Sequence, residues 1–258
     1  RINAAGRIEH GKRAVQLLIE TNESKAKDFA EEIENHNTER KELDQNITKE
    51  ALEMIDDSKK STVVYSSDWH KGVVGIVASR LIENYYKPTI VLSEKDGELT
   101  GSARSVKGFN LYDALLQCEH LLEKFGGHKY AAGLTLKKEN LRTFIDEFEK
   151  VVSRTITKDQ LVAEIEVDLE IDIDEVDDKL YRIIKQFAPF GPKNRTPNFV
   201  SKNVTDCGWG KKVGEEKTHL RLVLNTSTEK ITAIGFRMAD YFEKTTEKKT
   251  FNICYAID

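Results

Sequence analysis

Cysteine is scarce in this 258-residue chain, and its three copies, Cys118, Cys207 and Cys254, stand far apart. An odd, widely spaced set supports neither a disulfide framework nor a zinc knuckle, so reduced thiols are expected. Long apolar runs are missing as well. Nothing approaches the roughly 18 residues of a membrane span, and no charged-then-apolar leader is present. The composition therefore points to a soluble, cytoplasmic protein without a membrane partner. A basic excess is also absent: the net charge is -4, which taken whole argues against nucleic acid. Its distribution reverses that argument. Residues 139–190 hold 14 acids against 7 bases, a local -7, whereas residues 195–258 hold 11 bases against 8 acids, a local +3. A nucleic-acid track is expected to avoid the acidic middle and to use the flanking segments.

Proline is absent between residues 11 and 57. There Val15, Leu17, Leu18, Phe29, Ile33, Leu43, Ile47, Leu52 and Ile55 recur at mostly helical separations amid dense charge. Thr21-Asn22-Glu23-Ser24 carries a break with capping potential, so a short helix and then one of about 30 residues are expected. Polarity over most of its circumference makes the long helix a connector between domains; a coiled-coil dimer is the alternative, and the heptads are irregular. Next come a strand at residues 62–66, a helix at 73–86 stopped by Pro88, and a strand at 89–93, a unit suited to a parallel crossover. A strand at 99–104, a helix at 111–124, a strand at 132–136 and a helix at 139–156 complete an α/β sandwich. Residues 162–174 alternate, with Ile165, Val167, Leu169, Ile171 and Ile173 on one face and six carboxylates on the other. Solvent and edge protection explain that pattern, and no metal is assigned to it. A helix at 175–187 and strands at 198–206, 219–225, 230–236 and 251–257 suit a small barrel of OB type.

Phe125-Gly126-Gly127-His128-Lys129-Tyr130-Ala131-Ala132-Gly133 sets adjacent glycines beside an imidazole and an ammonium. Glycine removes the Cβ that would hold a phosphate oxygen away, and successive main-chain donors form an anion-binding concavity. A lone Gly-Gly-His is more often only a turn. Two further segments pair glycine with cations or hydroxyls, Trp69-His70-Lys71-Gly72 and Gly101-Ser102-Ala103-Arg104-Ser105. Three such loops at strand and helix ends, where open α/β sheets bind ligands, are expected to gather into a phosphate cradle. Arg104 heads the candidates, because a planar guanidinium binds phosphate through two parallel hydrogen bonds and Ser102 and Ser105 add neutral donors; a surface salt bridge is the alternative. His128 charges near neutral pH and can donate to a phosphate oxygen, unless the backbone satisfies it. His70 and Lys71 precede a helix and serve either the ligand or the packing of that helix. Arg80, within that helix, reads as an internal salt bridge. In the last segment Trp209, Phe199 and Tyr241 are candidate stacking platforms, with Lys202, Lys211, Lys212 and Arg221 drawing the backbone. Phe199 reads as core, and Trp209, between Gly208 and Gly210, as exposed.

In these segments the chain resembles the RecJ single-strand DNA exonucleases of the DHH phosphoesterase superfamily. The resemblance starts at Arg1-Ile2-Asn3-Ala4-Ala5-Gly6-Arg7, similar to the last motif of the DHH catalytic domain. It continues through His70-Lys71-Gly72-Val73-Val74-Gly75-Ile76-Val77-Ala78-Ser79-Arg80, Gly101 to Ser105, and the Gly126 to Gly133 signature of the DHH-associated domain. It ends at Pro189-Phe190-Gly191-Pro192-Lys193-Asn194-Arg195-Thr196-Pro197-Asn198-Phe199, similar to the loop entering the family's OB-like domain. The fold so implied is α/β: an α/β sandwich preceded by a long connector helix and followed by a small OB-like β-barrel. Residues 1–10 would end the catalytic domain, 11–60 form the connector, 61–157 the DHH-associated domain and 158–258 the OB-like domain.

The same resemblance implies 5′ to 3′ degradation of single-stranded DNA in repair and recombination, with Mn or Mg as cofactor and a single-strand-binding protein and a helicase as partners. No Asp-His-His triplet is present, and none of the six histidines is placed in an acidic cluster able to hold a catalytic metal pair. The chain opens at an arginine inside a motif, and its first methionine is Met54. A substrate-binding C-terminal portion is therefore expected, inactive by itself, with no catalytic residue and no metal of its own. On this reading Ser102 and Arg104 hold a 5′ phosphate and Arg7 closes the pocket. His70, Ser105, Gly126, Gly127 and His128 complete the substrate-binding set. The alternatives are a phosphodiesterase of the same superfamily for short oligonucleotides or cyclic dinucleotides, and a non-catalytic nucleic-acid-binding module.

Overall fold

Three helices lead into the first of two units in the computed structural model, which describes residues 2–245 and 249–258. The units divide between Ala163 and Glu164. The helices are α1 (Ile2–Ile8), α2 (Lys12–Ile19) and α3 (Glu23–Glu53). The expected break lies where the Asn22 side chain accepts the Lys25 N–H and caps α3. The long helix is less free of contacts than its polarity suggests. Ile47 and Ala51 of α3 are buried in a cluster with Trp69, Val74, Val77 and Leu81.

The rest of the unit comprises β1 (Thr62–Ser66), α4 (Val74–Tyr85), β2 (Thr89–Lys95), β3 (Glu98–Arg104), α5 (Leu111–Leu116), β4 (Lys124–His128), β5 (Ala131–Lys137) and α6 (Leu141–Thr155). Its sheet has the order β1-β2-β3-β5-β4. The β1 and β2 strands are parallel, as the crossover helix requires, and the remaining pairs are antiparallel. One face packs α4 and the end of α3. The other buries Leu92, Leu99, Leu134 and Leu136 beneath α5 and α6, against Phe144 and Phe148 of α6. Each such side chain contributes about 1.5 to 3 kcal/mol, which makes this the main source of the unit's stability.

Two local expectations give way to pairing. The helix expected over residues 111–124 stops at Leu116, with only a short 3-10 turn at Glu119–Leu121 beyond it. Gly126 and Gly127 lie in strand β4, and the reversal falls at Lys129 and Tyr130. The physical reason is the ladder: Gly126 pairs Gly133 and Gly127 pairs Ala132, so β5 supplies partners that outweigh the local preference of glycine for turns. The Gly101 to Ser105 segment is likewise mostly strand.

The second unit contains β6 (Leu169–Glu170), α7 (Asp178–Lys185), β7 (Phe199–Val204), β8 (Lys211–Val213), β9 (His219–Asn225), β10 (Lys230–Gly235), α8 (Phe242–Thr245) and β11 (Phe251–Tyr255). They form two three-stranded sheets, β10-β9-β8 and β11-β7-β6. The expected barrel is not closed, because the alternating stretch at 162–174 yields only a two-residue strand, too short to bridge sheet edges. Only Leu169 and Glu170 find a ladder partner, in β7. Val162, Ile165 and Val167 remain exposed. The carboxylates do not gather: Glu170 pairs with Lys202 at 2.7 Å and Glu166 with Arg195, while Asp168, Asp172 and Asp174 accept main-chain N–H groups. Phe199 is buried beside Ile171 and Ile184. No helix among the described residues is long and apolar enough to cross a membrane.

Candidate phosphate-binding site

Sheet register places the first unit's candidate residues in rows. Thr89, Arg104, Ala131 and His128 line up across β2, β3, β5 and β4, and Val91, Ser102, Gly133 and Gly126 form the next row. Laterally paired residues project to one face. It is the α4 face, since Val91 joins the α4 cluster. Gly75 of α4 lies directly over the site: a Cβ there would stand 3.0 Å from Arg104 Nη2 and 3.1 Å from Ser102 Oγ. Beside that helix, Gly126 and Gly133 are exposed and bare of side chains. The result is a flat main-chain shelf with Arg104 and His128 along one edge.

Arg104 is half-buried, and its Nη1 donates to Ser102 Oγ at 2.8 Å and to the Ala103 carbonyl at 2.9 Å. It has no carboxylate partner among the described residues. Burial, and then the positive charge of Arg7, push its guanidinium below the ordinary value. An anion bound near both would offset the repulsion and favour the charged guanidinium. Arg7 sits in the last turn of α1 and donates from Nη1 to the Gly72 carbonyl at 3.4 Å. Gly72 allows this approach, because a Cβ at that position would overlap the Arg7 carbonyl.

The remaining candidates divide into free and engaged groups. His128 is exposed, its Nδ1 accepting the Tyr130 N–H at 3.2 Å. His70 Nδ1 accepts the Gly72 N–H at 3.1 Å and so shapes the entry to α4, which has no side-chain cap. The Ser105 hydroxyl donates to the Phe109 carbonyl at 3.0 Å, which ties it to its own loop. Gly127 has φ +150°, and a Cβ there would overlap the Ala131 carbonyl, so its glycine is demanded by the hairpin. Gly126 meets no such obstacle. Gly75 and Gly133 fall inside the sequence motifs without standing out in them. Only register and helix packing reveal them. Arg80 makes the expected internal ion pair, to Asp44 at 2.6 Å.

Guanidinium, imidazole, hydroxyl and main-chain N–H groups suit an anion. They are the wrong donors for Mn or Mg, which take carboxylate and carbonyl oxygens. One small acidic group around a histidine does form elsewhere among the described residues: Glu9, Glu32 and His36 bring ligand atoms within 4.8 Å of one another, a set for at most one ion and not for a metal pair. Arg13 already pairs with Glu32 there at 3.1 Å.

Comparison with known proteins covers both units. Residues 58–154 match the DHHA1 domain and residues 167–258 the RecJ OB domain. The single-stranded-DNA-specific exonuclease RecJ of Bacillus subtilis is 34% identical over 250 residues, covering 94% of this chain and 31% of that protein. The Escherichia coli protein of the same name is 33% identical over 211 residues, covering 77% and 37%. The crystal structure of Thermus thermophilus RecJ in complex with Mn2+ matches with a TM-score of 0.77 at 26% identity, covering 90% of this chain and 34% of that one. The chain thus spans about a third of the length of these relatives.

Proposed function

The chain belongs to the RecJ family, as the portion bearing its DHHA1 and OB domains, and on that premise we propose that it holds single-stranded DNA by its 5′ end for a nuclease. Hydrolysis would occur at a divalent-metal centre in a DHH domain outside this chain, and the 258 residues alone would be inactive. The role is one in DNA repair and recombination, in the cytoplasm, with a single-strand-binding protein and a helicase as partners.

The observation that carries this reading is the uncompensated cation pair of Arg7 and Arg104 beside Ser102 and a bare glycine shelf. Like charges held close favour whatever anion enters, and a terminal phosphate carries more charge than an internal diester. Arg104 would grip that phosphate, and Arg7 would meet it from α1. His128 would face the next phosphate along the edge. Gly126 and Gly133 would let the sugar-phosphate chain lie against the sheet. Such positioning aligns the scissile bond without chemical participation by these residues. The cations of the second unit favour a long strand over a cyclic dinucleotide or a very short oligonucleotide.

Binding by the 258-residue chain to matched oligonucleotides, with a 5′ phosphate or a 5′ hydroxyl, tests the assignment. Arg104→Ala is expected to weaken the phosphorylated strand about tenfold, as befits a lost charge-assisted bond, and the hydroxyl strand less than about twofold. Equal losses would make Arg104 a nonspecific or structural residue.

A further inference from the structure

The second unit holds an exposed indole on a short loop. Trp209 is 64% exposed and lies between Gly208, with φ +90°, and Gly210. Beneath it the Asp206 carboxylate, only 2% exposed, accepts three main-chain N–H groups. Its Oδ2 takes Gly208 at 2.8 Å and Gly210 at 3.0 Å, and its Oδ1 takes Val223 of β9 at 2.8 Å. The fit is close, since a Cβ at Gly210 would lie 3.2 Å from the carboxylate. The loop is therefore shaped around a buried anion satisfied by the backbone, a charge-assisted arrangement that fixes where Trp209 points.

What lies beside the indole is cationic. Lys230, the first residue of β10, places Nζ 4.1 Å from the ring centroid, within cation–π range. Register puts Lys211, Arg221 and Ile234 in one row across β8, β9 and β10, and Lys230 stands on the same face opposite Asn225. The opposite face buries Leu220, Leu222 and Leu224. None of the outward paired positions is acidic, and neither Lys211, Arg221 nor Lys230 forms an ion pair among the described residues. An aromatic face next to a row of cations without counter-charges complements an unpaired base followed by phosphates. A duplex hides its base faces, and an apolar protein partner has no use for the cations.

We propose that Trp209, flanked by Lys230 and positioned by Asp206, is a stacking platform for one unpaired base of single-stranded DNA whose phosphates pass over Lys211 and Arg221. This rests on the single-strand reading of the chain but locates a contact in the second unit, independent of the phosphate site.

The chain contains two tryptophans, and the other, Trp69, is buried and donates to Glu50 at 2.8 Å, so quenching by a ligand reports on Trp209. The 258-residue chain would be titrated with an oligothymidylate, following tryptophan emission and, separately, anisotropy of the labelled strand. Emission should fall on binding. Trp209→Ala should weaken binding about tenfold and Trp209→Phe less than about threefold, the range for a single stacked base. Lys211→Ala should reduce the salt slope by about 0.7, one phosphate's worth. Asp206→Asn should weaken binding in proportion to the misplaced indole and add nothing to Trp209→Ala, the coupling expected of a positioning residue. Wild-type affinity in Trp209→Ala, or equal quenching by duplex DNA, would overturn the platform alone. Absence of any strand binding in the anisotropy would overturn the single-strand reading with it.

Discussion

Each unit buries a carboxylate, and the two are satisfied by different kinds of partner. In the first, Asp44 of α3 is fully buried and faces Arg40 Nη1 at 2.6 Å and Arg80 Nη2 at 2.6 Å, the latter a close ion pair without hydrogen-bond alignment. In the second, Asp206 accepts from main-chain donors alone among the described residues. Side-chain partners tie separate elements together, here α3 to α4, and so support the helix that carries Gly75 over Arg104. Main-chain partners here shape one loop and fasten it to the neighbouring strand β9. The same contrast extends to the candidate contacts. Arg104 is half-buried and held by Ser102, which suits recognition of a single group, whereas Lys211, Arg221 and Lys230 stand on an open sheet, which suits a tracked backbone.

The largest expected effect tests that contrast directly. Asp44→Ala leaves two largely buried arginines without their shared carboxylate and should destabilise the first unit by about 3 kcal/mol. Urea unfolding followed by Trp69 emission in a Trp209→Phe background would measure it. Asp206→Ala should cost its own unit only about 1 to 2 kcal/mol, the loss of main-chain bonds at a loop. Equal costs would erase the distinction between tying elements and shaping a loop.

A smaller effect separates two adjacent glycines of the first unit. Gly127→Val meets the Ala131 carbonyl and a φ that valine resists, and should cost about 2 kcal/mol. Gly126→Val enters open space and should leave stability within about 0.5 kcal/mol while weakening strand binding by obstructing the shelf. Unchanged binding in Gly126→Val would remove the shelf from the site and leave the second unit as the better candidate surface.

The smallest effect is on pH dependence. Burial raises the pKa of Glu149, but bonds from the Ser61 hydroxyl, Ser153 hydroxyl, Lys60 N–H and Ser61 N–H outweigh it, and the carboxyl titrates below its ordinary value. A depressed folded-state pKa contributes stability that is complete above the unfolded value and lost as pH falls through the folded one. Thermal unfolding of Glu149→Gln should therefore lose less stability than the parent on acidification below about pH 4.5. Parallel acid limbs would assign the sensitivity elsewhere.

Much of the fold was legible along the chain. The Asn22 break, the 31-residue α3, the β1-α4-β2 crossover and β9 follow from periods and caps that consecutive residues display. What failed was pairing. Gly126 and Gly127 read locally as a turn and are a strand because β5 lies beside them; residues 162–174 read as a strand and mostly are not, because only Leu169 and Glu170 pair in register with β7. β8, three residues long, carried too little pattern to be noticed. The site divides in the same way. Arg104, Ser102 and His128 were visible by chemical type, whereas Gly75, Gly133 and the anchoring role of Asp206 required the neighbours that surround them.

Sequence alone therefore determined where the long helices and the crossover run, which positions are apolar and which groups are available to bind an anion. Only the tertiary structure decided which glycines face open space, which cations stand together without a counter-charge, and which carboxylate shapes a loop. The reason is physical: period and charge belong to successive residues, but a ladder partner, a sheet face and a buried donor are supplied by residues far away in the chain.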